Sequence, residues 1–140
     1  MVVIIQQNGH GNNLISQKNM KERKNFNEIF WHDAIIKNIQ VDRNKPGIKD
    51  TIDFEITWMN NQTSRVVFED VYWAKMLMGF GVVADECIYE AFIAPKDDID
   101  LICFNEKWKE LISENLFCYI IRTASTGSEF KIIAKSFKIL

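Results

Sequence analysis

Residues 50–59 read DTIDFEITWM, and apolar and polar side chains alternate along the whole stretch. A period of two places one set of side chains on the buried face of a β-strand and the other set in water. The set predicted to face inward is Ile52, Phe54, Ile56 and Trp58. The sequence therefore predicts an amphipathic strand here, which needs paired neighbours.

Turn sequences on both sides predict antiparallel neighbours. Residues 44–47 read NKPG, in which proline presets the first central position of a turn and glycine supplies positive φ at the second. Residues 60–62 read NNQ, and asparagine tolerates positive φ in a tight hairpin. We expect flanking strands over Ala34–Asp42 and Arg65–Glu69. Their predicted inward-facing residues are Ile35, Ile39, Val41, Val66 and Phe68.

The period changes after Glu69, and two short helices are predicted beyond it. Asp70 is a plausible N-cap for the first, which Gly79 or Gly81 would end. Its apolar residues at helical spacing are Val71, Ala74, Leu77 and Met78. Asp97 or Asp98 would cap the second helix. Its apolar stripe is Leu101, Phe104, Trp108, Leu111 and Ile112.

Three further strands complete the predicted fold: Cys87–Ala94, Leu116–Thr123 and Phe130–Ile139, the last two joined by a turn at Ala124–Ser128. A change of apolar face along the last strand predicts a bulge or burial on both sides. The predicted fold class is α+β, with five or six mainly antiparallel strands in a curved sheet or partly closed barrel and two short helices.

The amino-terminal residues 1–30 are predicted as an added arm on one globular domain spanning residues 1–140. Short strands are expected at Val2–Gln6 and Leu14–Ser16, with a glycine- and asparagine-rich loop, residues 8–13, between them. Residues 20–27 are polar and basic, and Phe26, Ile29 and Phe30 are the expected apolar anchors of the arm.

Composition limits the functions that are compatible with this chain. Its 140 residues are 47% hydrophobic and 26% charged, which suits one globular domain and excludes wholesale disorder. No apolar run approaches the ~20 residues that a membrane-spanning helix needs. Basic residues are dispersed, so we expect neither a membrane nor a nucleic acid as partner. The three cysteines have no CxxC spacing and fall in apolar stretches, which predicts reduced core thiols and a cytoplasmic protein.

Charge is unevenly distributed along the chain. Residues 1–50 carry a net charge of +3, residues 51–115 carry −8 and residues 116–140 carry +3. The acidic middle segment could form one negative face that attracts a basic partner. The alternative is that its acids are spread over separate solvated faces. Exposed aromatic residues among acids suit a protein interface, and Trp73, beside Glu69 and Asp70, is the candidate; packing of Trp73 against a loop is the alternative.

The Trp31-His32-Asp33 triplet is the other candidate site. A multi-histidine metal centre would need more ligands, and the chain has only one other histidine, His10. No GxSxG, P-loop or GxGxxG motif is present, so no catalytic residue, metal or cofactor is predicted. His32 is interpreted as a structural residue at the mouth of a strand, with a binding role for the triplet as the alternative.

The segment WHDAIIKNIQVDR, residues 31–43, resembles a loose group of small bacterial proteins that open with a His-Asp doublet and an amphipathic strand. The group includes immunity-type proteins of polymorphic toxin systems. Residues 119–134 resemble them too, through the strand, the Thr126-Gly127-Ser128 turn and its return. The resemblance implies a small intracellular α+β domain that binds a protein, and it transfers no catalytic residues.

Two functions follow as hypotheses. The first is a non-enzymatic protein-binding domain that uses an acidic surface against a basic partner, of which a toxin is one example. Its predicted binding residues are Trp31, His32, Asp33, Glu69, Asp70 and Trp73. The second is a small enzyme or ligand-binding domain with a cleft near His32 and Asp33. The oligomeric state is not predicted.

Overall fold

The computed structural model describes residues 9–110 and 115–140. Within them the chain forms two helices and six strands. In chain order these are α1 (Gly9–Asn27), β1 (Ile35–Lys45), β2 (Lys49–Thr57), β3 (Thr63–Leu77), β4 (Glu86–Ile93), α2 (Ile99–Trp108), β5 (Phe117–Thr123) and β6 (Glu129–Ile139).

The six strands hydrogen-bond in a ring in the order β1-β2-β3-β6-β5-β4, and every neighbouring pair is antiparallel. The ring is irregular, because β1 and β4 pair only through Ile35 with Cys87 and Ile36 with Glu86. The predicted α+β class with an antiparallel, partly closed barrel is confirmed. No helix among the described residues is both long and apolar enough to cross a membrane.

Both predicted hairpins are confirmed. Gly47 adopts φ +79° in the β1–β2 turn, and Asn61 adopts φ +67° in the β2–β3 turn. The inward residues of β2 and β3 form the centre of the core. Ile52, Phe54, Ile56, Val66 and Phe68 are all at most 4% exposed, whereas Trp58 lies at the margin of the core.

The predicted face of the first strand is wrong in part. The pairing of β1 with β2 shifts between Ile36 and Asn38, and this bulge brings Ile36 rather than Ile35 into the core. Beyond the bulge Ile39 packs against the core, whereas Val41, nearer the end of the hairpin, is 54% exposed.

The first predicted helix, from Asp70, is wrong. β3 continues through this segment and pairs with β6 from Val66 to Leu77. A register shift lies between Val71 and Trp73, and Asp70 adopts φ +52°. A bulge therefore produces the change of period that resembles a helix start. The long partner strand β6 accounts for the extended conformation.

The expected loop and strand in the amino-terminal arm are also wrong where the structure describes them. Residues 9–13 and Leu14–Ser16 belong to α1, whereas the predicted strand Val2–Gln6 lies outside the described residues. Phe26, near the end of α1, is fully buried, and Ile29 packs against the same core. Phe30 is 64% exposed and is not an anchor.

The second predicted helix is confirmed and covers the outside of the ring. Asp98 caps α2 by accepting hydrogen bonds from the backbone N–H groups of Asp100 and Leu101. Leu101 and Phe104 pack on Ile133 of β6, while Ile132 faces the interior. Two-sided burial thus accounts for the change of apolar face in β6. Trp108 is exposed at the helix end, and the stripe residues Leu111 and Ile112 lie outside the described residues.

All three cysteines are free, but only one is a core residue as predicted. Cys118, on β5, is fully buried in the apolar cluster that Leu101, Phe104 and Ile133 also form, and burial raises the pKa of its thiol to about 12. Cys87 is half-buried. Cys103 is exposed on α2, so its core assignment is wrong: it lies on the side of the helix turned away from the sheet.

Candidate functional site

The two predicted groups of site residues lie far apart. Trp31, His32 and Asp33 precede Ile35 at one end of β1, whereas Glu69 pairs with Thr51, which in turn pairs with Asp42 near the other end of β1. At ~3.3 Å per residue, this separation along β1 is roughly 23 Å. A single site that contains both groups is therefore not formed.

The Trp31-His32-Asp33 segment lies against β4. Trp31 is only 3% exposed and donates from Nε1 to the carbonyl oxygen of Phe26 at 2.8 Å, so its ring belongs to the core. The backbone N–H of Asp33 donates to the carbonyl of Ile88 at 2.8 Å. Trp31 is accordingly not available to a partner.

The side chains of His32 and Asp33 are largely exposed. His32 Nδ1 lies 3.2 Å from the carbonyl oxygen of Tyr89, and His32 Nε2 lies 3.6 Å from Asp33 Oδ1. Cys87 Sγ is 3.8 Å from Asp33 Oδ1, and burial together with this carboxylate raises the pKa of the thiol. A raised pKa opposes thiolate formation, so the geometry does not activate Cys87 as a nucleophile.

Metal-ligand geometry is also lacking in the part of the chain that the structure describes. No group of three or more His, Cys, Asp or Glu side chains there is arranged to hold a metal ion. His32, Asp33 and Cys87 are neighbours, but they do not form such a group.

The second predicted group borders a cleft of about 420 Å³ at the end of the β1–β2 hairpin. The cleft lies between this hairpin and the bulged part of β3. Its lining residues are Val41–Arg43, Gly47, Ile48, Asp50–Ile52 and Asp70–Ala74. Asp70 and Trp73 are thus brought to one site, and Glu69 lies beside it on the outer face of the sheet.

The bulge at Asp70 shapes this cleft. β3 pairs with β2 only as far as Glu69, which pairs with Thr51. At Asp70 the backbone takes a left-handed conformation, and β3 then continues alongside β6 alone. The two strands separate from this point, and the opening between them is the cleft. Bulges of this kind commonly redirect side chains near functional sites.

Three carboxylates and one guanidinium line the cleft. Arg43 Nε lies 3.0 Å from Asp50 Oδ1, and Asp50 Oδ2 accepts from the backbone N–H of Gly47; these bonds hold the pKa of Asp50 below its usual value. Asp42 Oδ1 accepts from the backbone and side-chain N–H groups of Asn44. Asp70 is exposed. With Arg43 balanced by Asp50, the remaining charge of the cleft is negative.

Apolar surface adjoins these charges. Ile48 is 80% exposed, Val41 54% and Tyr72 43%. Trp73 is only half-buried and packs at the margin of the cluster beneath α2. Asp70 and Trp73 were predicted as binding residues because an acid and an aromatic residue lie close together in the sequence. Val41, Asp42 and Ile48 were not predicted as site residues. The β2–β3 hairpin brings these residues near β3, but the bulge at Asp70 that opens the cleft depends on pairing with the distant strand β6.

Several acids of the middle segment lie in ion pairs. The bases come partly from the segment itself and partly from β5 and β6. The pairs are Asp53 with Arg65, Glu69 with Lys138, Glu90 with Arg122, Asp98 with Lys131, and Asp100 with Lys75 and Lys131. Folding therefore concentrates the uncompensated negative charge at fewer places than the sequence suggests, and the cleft is one of them.

Comparison with known proteins finds no matching family model, no matching curated protein and no matching solved structure.

Proposed function

We propose that this protein is a non-enzymatic binding domain of the cytoplasm that holds a basic protein partner at the cleft between the β1–β2 hairpin and the β3 bulge. The observation that carries the proposal is the combination, in one opening, of an exposed carboxylate at Asp70 with the exposed apolar surface of Val41 and Ile48. Arginine suits this combination, because its stem packs on apolar surface while its guanidinium binds carboxylates.

An immunity-type role is the form of this function that we propose. A toxin that acts on nucleic acid presents basic residues around its active site, and an acidic cleft is complementary to them. Such complementarity increases the rate of association as well as specificity. The alternative, a small enzyme or ligand-binding domain with a cleft near His32 and Asp33, has less support, since those two side chains do not line the cleft beside Asp70 and belong to no metal-holding group among the described residues.

A matched pair of small probes tests the proposal. The full chain is titrated with N-acetyl-arginine amide and, separately, with N-acetyl-citrulline amide, its uncharged counterpart, while backbone amide signals are followed by NMR. We expect only the arginine probe to shift the signals of residues 41–43 and 70–74. The shifts should weaken as salt is added.

Two variants control for general attraction to acids. Asp70→Asn should reduce the arginine-induced shifts several-fold, whereas Glu106→Gln, at an exposed acid on α2, should leave them unchanged. Equal shifts with both probes, shifts spread over all exposed acids, or an unaltered response of Asp70→Asn would each overturn the proposal.

A further inference from the structure

Most of strand β1 has a hydrogen-bonded neighbour on only one side among the described residues. β1 pairs with β4 only at Ile35 and Ile36, so from Lys37 onward its partner among the described strands is β2 alone. In an antiparallel ladder, alternate backbone groups of a strand point to each side. Alternate N–H and C=O groups between Lys37 and Arg43 therefore face away from β2, and no other described element pairs with them.

The facing edge, on β4, is covered. The backbone N–H of Asp33 donates to the carbonyl of Ile88, and Asn27 Oδ1 accepts from the backbone N–H of Ile93 at 2.9 Å. Arg23 donates to the carbonyl of Ile93 at 2.9 Å. Exposed strand edges attract other chains, and proteins usually cover them. Here the segment from α1 to Asp33 covers β4, while nothing within residues 9–110 and 115–140 pairs with the free edge of β1.

We infer that the open edge of β1, from Lys37 to Arg43, adds an extended segment of the protein partner as a further antiparallel strand. The inference rests on the proposed function and specifies how the partner binds. The edge and the cleft share Val41, Asp42 and Arg43, so a strand added to β1 runs into the cleft. Backbone hydrogen bonds supply affinity in this mode, and alternate side chains supply specificity.

The charges of β1 select against a second copy of this chain. Arg43 is paired with Asp50, and the remaining charges of β1, Lys37 and Lys45 against Asp42, leave a net positive edge, so two β1 edges repel each other. A partner segment avoids this repulsion when it is uncharged beside Lys37 and carries one basic side chain near Asp42 and Asp70. Apolar residues at alternate positions would lie beside Ile39 and Val41.

Amide hydrogen exchange of the full chain tests whether the edge is open. Alternate amides from Lys37 to Arg43 should exchange at least tenfold faster than those of Ile88 and Ile93. Uniform protection along β1 would overturn the inference. A concentration-dependent dimer in sedimentation, with β1 protected, would identify a second copy as the occupant and would also overturn it.

A peptide probe tests strand addition itself. The peptide VTVRVTV carries valines on one face and one arginine on the other, so valines lie beside Ile39 and Val41 when the arginine lies beside Asp42. An analogue N-methylated at alternate residues cannot donate the ladder hydrogen bonds. We expect the peptide, at millimolar concentration, to shift and protect the amides of Lys37–Arg43, and the analogue to bind at least tenfold more weakly. Equal binding of the two peptides, or no response along β1, would contradict strand addition.

These experiments distinguish a failure of the cleft proposal from a failure of strand addition at β1. If strand addition occurs but Asp70→Asn leaves peptide affinity unchanged, the edge inference stands and the cleft proposal is wrong. If N-acetyl-arginine amide maps to the cleft but N-methylation makes no difference, the cleft proposal stands and strand addition is wrong.

Discussion

The ammonium group of Lys131 lies 2.7 Å from Asp98 Oδ1, and Lys131 is only 6% exposed. A nearly buried cation on β6 therefore holds the residue that caps α2. The same ammonium group lies 2.8 Å from Asp100 Oδ2 in the first turn of the helix. These bonds fix the start of α2 against the sheet, and the apolar contacts of Leu101 and Phe104 follow from that position.

Asp98 should contribute to stability in two separable ways. Asp98→Asn keeps a capping side chain but removes the charge that faces Lys131, whereas Asp98→Ala removes both. We expect Asp98→Ala to lower the free energy of unfolding by about 2–4 kcal/mol, and Asp98→Asn to cost about 1 kcal/mol less than that. Urea unfolding measures both. Asp97→Ala, at an exposed neighbour, should change stability by under ~0.5 kcal/mol; equal losses at positions 97 and 98 would contradict the assignment of the cap.

Stability should depend on pH through Asp100. Its hydrogen bond from Lys131 holds the pKa of the carboxyl below the usual value, so the folded state binds this proton less readily than the unfolded state. The contribution of Asp100 to the free energy of unfolding is complete above its unfolded pKa of about 3.9, and it is lost as pH falls through the lower pKa of the folded state. Between pH 2 and 7, the midpoint temperature of thermal unfolding should fall less steeply with decreasing pH for Lys131→Met than for wild type. Lys96→Met, at an exposed lysine, should retain the wild-type slope; if Lys131→Met retained it as well, the linkage would be absent.

The three thiols should react at different rates in the native protein. Cys103 is exposed and should react with a thiol reagent at once, whereas Cys118 is buried with its pKa raised to about 12 and should react only after unfolding. Cys87 should react at an intermediate rate. Absorbance during labelling, with and without denaturant, counts the reactive thiols. Three equally fast thiols would show that the cluster under α2 is not formed in solution.

Trp31 and His32 should differ sharply although they are adjacent. Trp31→Phe removes the donor that satisfies the carbonyl of Phe26, and we expect a loss of about 1–3 kcal/mol. The side chain of His32 is 60% exposed, so His32→Ala should cost less than about 1 kcal/mol. Chemical denaturation of the two variants gives the comparison. A larger loss of stability for His32→Ala than for Trp31→Phe would contradict this prediction, because the observed contacts of His32 do not account for it.

The hairpins were predictable because their information is local. The alternation from Ile52 to Trp58 and the turn residues Gly47 and Asn61 specify register within a few positions of the chain. The helix predicted from Asp70 was wrong, because a bulge in an extended strand and the first turn of a helix both interrupt a period of two. Only the distant strand β6 distinguishes them, and its pairing with Val71 and Trp73 involves residues about sixty positions away.

The candidate site was predictable to a similar extent. Asp70 and Trp73 stood out as an acid and an aromatic residue close together in sequence, and both border the cleft. The burial of Trp31 was not predictable locally, because its ring packs between Phe26 and the more distant Trp58. Ion pairs of the acidic segment were unpredictable for a related reason: two of the cations in them, Lys131 and Lys138, lie in the carboxyl-terminal strand.

The burial of Phe26 has a consequence for how the chain folds. Its ring lies 4.9 Å from that of Tyr119 and 5.0 Å from that of Phe137, and Glu22 of the same helix bonds groups 97 and 115 residues away. Helix α1 thus docks onto β5 and β6, which are synthesised long after it. Contacts of such long range slow folding, because the closure entropy is lost before the contacts can compensate for it. During synthesis, Phe26 of α1 therefore has no complete packing site until both β5 and β6 have been made.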